Sequence, residues 1–128
     1  MGSPAAKKGD LIVAIDTHTV IVEEVPTPGP HPFNGVIDGG LCGSVLIMGA
    51  AAATVDSTAT NTPPHLPIPS AGKFADTPSD KATISAGSGS VFIGGKPAAR
   101  SGDTADTCND GGDLPVGSVV AAGSVFIG

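Results

Sequence analysis

The sequence has no tryptophan and no tyrosine, and only 4 phenylalanines among 128 residues. Large aromatics bury the most surface per side chain. The core must therefore be built from Val, Ile, Leu and many Ala, and each Ala contributes little buried area. Basic residues are also scarce, with 6 Lys and Arg against 12 Asp and Glu, for a net charge of −6. They are scattered along the chain with no interleaved aromatics, which excludes a nucleic-acid footprint. No apolar run approaches the roughly 18 residues of a membrane span. The apolar stretch Leu11 to Ile15 is too short for a signal peptide. The chain is expected to be made and kept in the cytoplasm unless another machine exports it.

What is abundant is Gly and Pro, 19 and 12 residues respectively. Both penalise helix interiors, which argues against long helices. The same composition would suit a disordered chain, but charged residues are only 14% and the mean hydropathy is +0.24, the opposite of the balance that prevents collapse. A loop-rich, compact all-β fold follows. Two cysteines, Cys42 and Cys108, allow one disulfide, but in a cytoplasmic protein a metal-bound thiolate is the favoured use.

Internal repetition is visible. Gly89-Ser-Val-Phe-Ile-Gly-Gly-Lys-Pro-Ala-Ala-Arg-Ser-Gly-Asp103 is the clearest unit, and Gly43 to Asp56 repeats it one residue shorter. A third copy begins at Gly123-Ser-Val-Phe-Ile-Gly128, and its second half matches Ser3-Pro-Ala-Ala-Lys-Lys-Gly-Asp10. The chain is thus expected to be a single domain over residues 1–128, its third repeat split between 118–128 and 3–10. Short β-branched and aromatic runs bounded by Gly predict a strand pair per unit. Two proline-rich stretches, about Glu23 to Asn34 and about Ser57 to Lys81, interrupt the units and are expected to form stiff loops.

The three histidines are His18, His31 and His65, and the last two lie in those proline-rich stretches. Measured from the repeat serine, His65 lies 21 residues on, Cys108 18, and His18 22 through the joined termini. One metal-capable side chain per unit, converging on a common axis, gives His18, His65 and Cys108. His31 supplies a fourth, completing a His3Cys set suited to tetrahedral Zn²⁺, with iron as an alternative. Four protein donors leave no position for water or substrate, which points to one structural metal and not to catalysis. Cys42 has no sibling in the other units and is expected to be a small buried hydrophobe. The acidic run Asp103, Asp106, Asp110 and Asp113 does not follow Ca²⁺-loop spacing and is expected to be solvated surface.

The literal motif Pro97-Ala98-Ala99-Arg100, with a partial copy at Pro4-Ala5-Ala6-Lys7 and a degenerate one at Ala51-Ala52-Ala53-Thr54, resembles the PAAR-repeat family. The resemblance implies a small pseudo-threefold cone of short β-hairpin repeats, its apex stapled by a metal held by three His and one Cys. The matching positions are again His18, His31, His65 and Cys108. It further implies a tip that caps the trimeric VgrG-like spike of a type VI secretion system or related contractile injection machine, one tip per trimer, and sharpens it for puncturing target membranes. Leu46, Phe92 and Phe126 are the apolar side chains expected at the spike-binding base. Such a tip would be cytoplasmic before firing, assembled at the end of the apparatus and then delivered outward or into a target cell, touching its membrane transiently. Any toxin effector is expected on a separate chain. Two competing readings are a small zinc-dependent hydrolase with Cys108 uninvolved, and a module linked by a Cys42–Cys108 disulfide.

Overall fold

A computed structural model of the chain describes residues 2–128. In chain order its strands are β1 (Ser3–Pro4), β2 (Leu11–Val22), β3 (Val25–Gly39), β4 (Cys42–Ile47), β5 (Ala50–Ala52), β6 (Thr58–Asn61), β7 (Lys73–Phe74), β8 (Lys81–Ile84), β9 (Phe92–Ile93), β10 (Lys96–Pro97), β11 (Thr104–Thr107), β12 (Leu114–Val120) and β13 (Phe126–Ile127). The described residues contain no helix, and none therefore long and apolar enough to cross a membrane.

Three antiparallel pairs, β2–β3, β6–β8 and β11–β12, join in the order β12-β11-β8-β6-β3-β2. A further β12–β2 pairing, Ser118 opposite Val13 and Val120 opposite Leu11, closes them into a six-stranded barrel with no free edge at this level. Inward positions recur at period two. Ile12, Ala59 and Ala105 fill the interior from the first strand of each pair, and Ile37, Ile84 and Val119 from the second, all essentially without exposure. Small Ala beside branched Ile lets three pairs share one narrow interior. Phe33 lies in the same cluster.

At one end of the barrel, three small hairpins (β4–β5, β9–β10 and β13–β1) share a single register, with Ala50 opposite Ile47, Lys96 opposite Ile93 and Ser3 opposite Ile127. Met48–Gly49 and Gly94–Gly95 form the turns of the first two, with φ of 51°, 84°, 60° and 84°. Positive φ at both central residues matches the right-handed twist of the strands. Gly128 and Gly2 stand at the corresponding positions in the third hairpin.

The two Pro-Ala-Ala segments and Ala51-Ala52-Ala53 meet at the centre. The Ala6 N–H donates to Ala99 O at 2.9 Å, the Ala99 N–H to Ala53 O at 3.1 Å, and the Ala53 N–H to Ala6 O at 3.0 Å. The three bonds form a ring, and all three alanines are wholly buried. Just beyond it each unit turns by the same device. The Lys7 and Arg100 amides donate to the carboxylates of Asp10 and Asp103, at 3.0 and 2.7 Å. In the remaining unit Thr54 N–H donates to Ser57 Oγ at 3.0 Å.

That contact corrects the repeat alignment. The counterpart of Asp10 and Asp103 is Ser57, because its hydroxyl accepts the same bond. Asp56, at φ 76°, occupies the place of Gly9 and Gly102, at 93° and 91°. Ser44 to Ser57 and Ser90 to Asp103 both span 13 residues, so this unit is not shortened.

The stretch expected to be a loop from Glu23 to Asn34 is instead mostly strand. Pro26, Pro28, Pro30 and Pro32 fall on alternate residues of β3, opposite Ile21, Thr19, Thr17 and Ile15. The Thr17 and Thr19 amides point away from β3, towards Asn109 Oδ1 and Asp110 Oδ2, both at 2.6 Å. These cross-strand pairs are therefore the non-hydrogen-bonded kind. The prolines forfeit no ladder bond, and they remove donors from an edge that β6 does not cover. The second proline-rich stretch is mostly irregular, apart from β6 at its start and β7 within it.

Replacing Ala6, Ala53 or Ala99 with Val is expected to cost about 1–3 kcal/mol each through overpacking. Urea denaturation checks this, with Lys8→Ala on the exposed face of the same turn as a near-neutral comparison.

Candidate metal centre

Beyond the barrel's other end, β2 and β3 continue as a long hairpin. Its inward residues change from apolar to polar: Ile12 and Ala14 are followed by Asp16 and His18 on β2, and Phe33 by His31 on β3. Asp16 faces His31 across the pair, and His18 faces Gly29. The loop after β11 lies along the outer edge of β2, where the Asp110 amide donates to Thr17 O at 2.9 Å. This docking carries Cys108 inward. His65 arrives from the loop after β6, its amide held by Asp80 Oδ1 at 2.9 Å.

One donor atom from each of Asp16, His18, His65 and Cys108 lies within 4.8 Å of the others, and all four residues are buried. Metal–ligand bonds of about 2.0–2.3 Å place two donors no more than roughly 4.6 Å apart, so the group has the dimensions of one coordination shell. His65 Nε2 donates to Asp16 Oδ2 at 2.9 Å. His18 Nε2 stands 3.8 Å from Cys108 Sγ. With the corrected repeat register, His18 and His65 each come eight residues after their turn-closing Asp10 and Ser57, whereas Cys108 comes five after Asp103.

His31 stands beside this group and not within it. Its ring centroid is 5.5 Å from that of His18 and 5.9 Å from that of His65. Its Nδ1–H donates to Gly29 O at 3.0 Å. Its Nε2 is the one buried side-chain N or O atom without a hydrogen-bond partner among the described residues. An orphaned buried acceptor is costly, and a cation is the partner it lacks. The residues present thus fit a metal ion.

The electrostatics agree. Burial, then the charge of Asp16 beside it, pushes the Cys108 thiol up to about 11. The thiol keeps its proton at neutral pH unless a cation takes its place. Asp110 anchors the other side, with Oδ1 accepting from His18 Nδ1 at 3.0 Å and Oδ2 from the Thr19 amide. Burial raises its pKa, but the Thr19 amide and the His18 ring outweigh that and hold it below its ordinary value. The bond leaves His18 Nε2 free to face the centre, the carboxylate–histidine arrangement common around bound metals.

Two partners were missed in the sequence. Asp16 was legible in principle, as a polar residue at period two with His18 on an otherwise apolar strand face. Asp110 falls in the acidic run expected to be solvated surface but is a hydrogen-bond anchor, and Asp103 likewise pairs with Arg100 at 2.9 Å. Phe74 packs its ring 5.8 Å from His18 and 5.4 Å from His31. Its signal was a lone aromatic in an irregular stretch. Both cysteines carry free thiols. Cys42 is half-exposed, not buried, and its Sγ lies 3.3 Å from Ser44 Oγ.

Two overlapping segments, residues 28–109 and 74–128, match the family model described as PAAR motif. The chain belongs to the PAAR-motif family. No curated protein matches it. The two Pro-Ala-Ala turns, the matching Ala51-Ala52-Ala53 turn and their alanine ring are the structural form of that motif here.

Asp110→Ala is expected to weaken affinity for an added divalent metal ion 10- to 100-fold by freeing the His18 ring, with Asp110→Asn losing less. Competition with a chromogenic chelator measures both.

Proposed function

We propose that this PAAR protein is a structural tip that caps a trimeric VgrG-like spike of a contractile injection machine, type VI or phage-tail-like. The observation that carries the reading is the threefold repetition of the end opposite the metal centre. Leu46, Phe92 and Phe126 occupy equivalent strand positions in the three small hairpins. They are 63%, 59% and 60% exposed, high for large apolar side chains. One chain with three like faces can seat on a trimer without symmetry mismatch. Three apolar anchors, one per partner chain, fit such a seat.

The opposite end supports a mechanical role. His18, His31, His65 and Cys108 are proposed to hold one metal ion, zinc on the chemistry of the donors. They come from the β2–β3 hairpin and from the loops after β6 and β11, so one ion would tie together three units of a single domain. Each of these side chains is at least nine-tenths buried, which favours a structural ion over a hydrolytic one. A bound structural ion contributes stabilisation on the order of 10 kcal/mol, which a core of Ala and a few branched residues needs. The chain's work is then to hold a stiff, narrow end ahead of the spike while the machine drives it through a target membrane.

Two outcomes test this. Mixed with its trimeric spike protein, the chain is expected to elute as one tip per trimer. Lys at Leu46, Phe92 and Phe126 together should abolish the complex while leaving bound zinc unchanged. Loss of zinc without loss of complex would reverse the assignment of the two ends. Chelation is expected to lower the midpoint of thermal unfolding markedly, with zinc but not magnesium restoring it.

A further inference from the structure

Asp16 is fully buried, and among the described residues its one ion-pair partner is His65, with no Lys or Arg nearby to balance it. A carboxylate in such a place is normally compensated. Its orientation is also set. The Thr107 hydroxyl, one residue before Cys108, donates to Oδ1. Oδ2 is left facing His65 Nε2 at 2.9 Å and Cys108 Sγ at 3.5 Å. These are separations of neighbours on one coordination shell, and Oδ2 is more central to the donor group than His31.

Charge points the same way. Three neutral imidazoles and one thiolate leave a divalent cation with an uncompensated positive charge in a buried site. One more anionic oxygen removes it.

We propose that Asp16 Oδ2 is a fifth protein donor of this centre, beside His18, His31, His65 and Cys108, making a neutral N3SO set around a divalent cation. It rests on the metal reading above. Structural zinc sites are usually four-coordinate, so a carboxylate oxygen here also widens the choice of metal towards iron(II), which favours mixed N and O donors at higher coordination number.

Cobalt(II) is the probe, because its d–d absorption is intense in four-coordinate sites and weaker in five-coordinate ones. Wild-type protein loaded with Co²⁺ is expected to show a thiolate charge-transfer band from Cys108 with weak d–d bands. Asp16→Ala should keep the thiolate band and gain the intense four-coordinate absorption. A wild-type spectrum already intense, and unchanged in Asp16→Ala, overturns the proposal and leaves Asp16 as a hydrogen-bond partner of His65. Should Asp16→Ala not fold, X-ray absorption on zinc-loaded wild type decides. Five first-shell atoms with one sulfur are expected, and four overturn the proposal while leaving the metal reading intact. A wild type that binds neither metal overturns both.

Discussion

Three backbone hydrogen bonds among Ala6, Ala53 and Ala99 hold the units of this chain at a common centre. Each segment gives one N–H and takes one through its carbonyl, so the ring satisfies buried polar groups that would otherwise be costly. It also dictates composition. Backbones can approach this closely only where side chains are small, which is why a run of alanines sits where a core would ordinarily place Leu or Phe. The barrel above and the hairpins below take their threefold arrangement from this point.

Small residues at the centre leave the interior thin, and the two ends answer that differently. At one end the apolar surface is turned outward, on Leu46, Phe92 and Phe126, as it would be for a chain that completes its burial against a partner. At the other, polar side chains enter the interior and need compensation. Asp16, His31 and Cys108 are each awkward there alone, as a buried carboxylate, an orphaned ring nitrogen and a protonated thiol. Together with His18 and His65 they form the group proposed to hold one cation. Phe33 on one side and Phe74 on the other shield the group from water, which strengthens every electrostatic contact inside.

The proline strand shows how a local rule is obeyed where it looks broken. Four prolines in alternation are compatible with β3 because one edge of the strand has no neighbour there and the other needs donors only from the intervening residues. Composition alone could not reveal that, since it depends on which residues face β2. The same is true of Ser57. A serine three residues after Thr54 reads as a departure from the Asp of the other units, and only the hydrogen bond it accepts identifies it as the equivalent.

The sequence by itself determined the all-β class, the three repeat units, the meeting of Ser3 with the C-terminal strand and the His and Cys residues that are candidates for binding metal. These follow from local chemistry: Gly and Pro exclude helices, a repeated motif implies repeated structure, and three histidines and two cysteines offer few combinations. Tertiary structure alone decided how those residues group. It placed Asp16 among the candidate donors, set His31 beside them, and turned Asp110 from a surface charge into the anchor of His18. Those relations join residues up to 92 positions apart, and their distances are set by barrel closure and strand register, which no local spacing encodes.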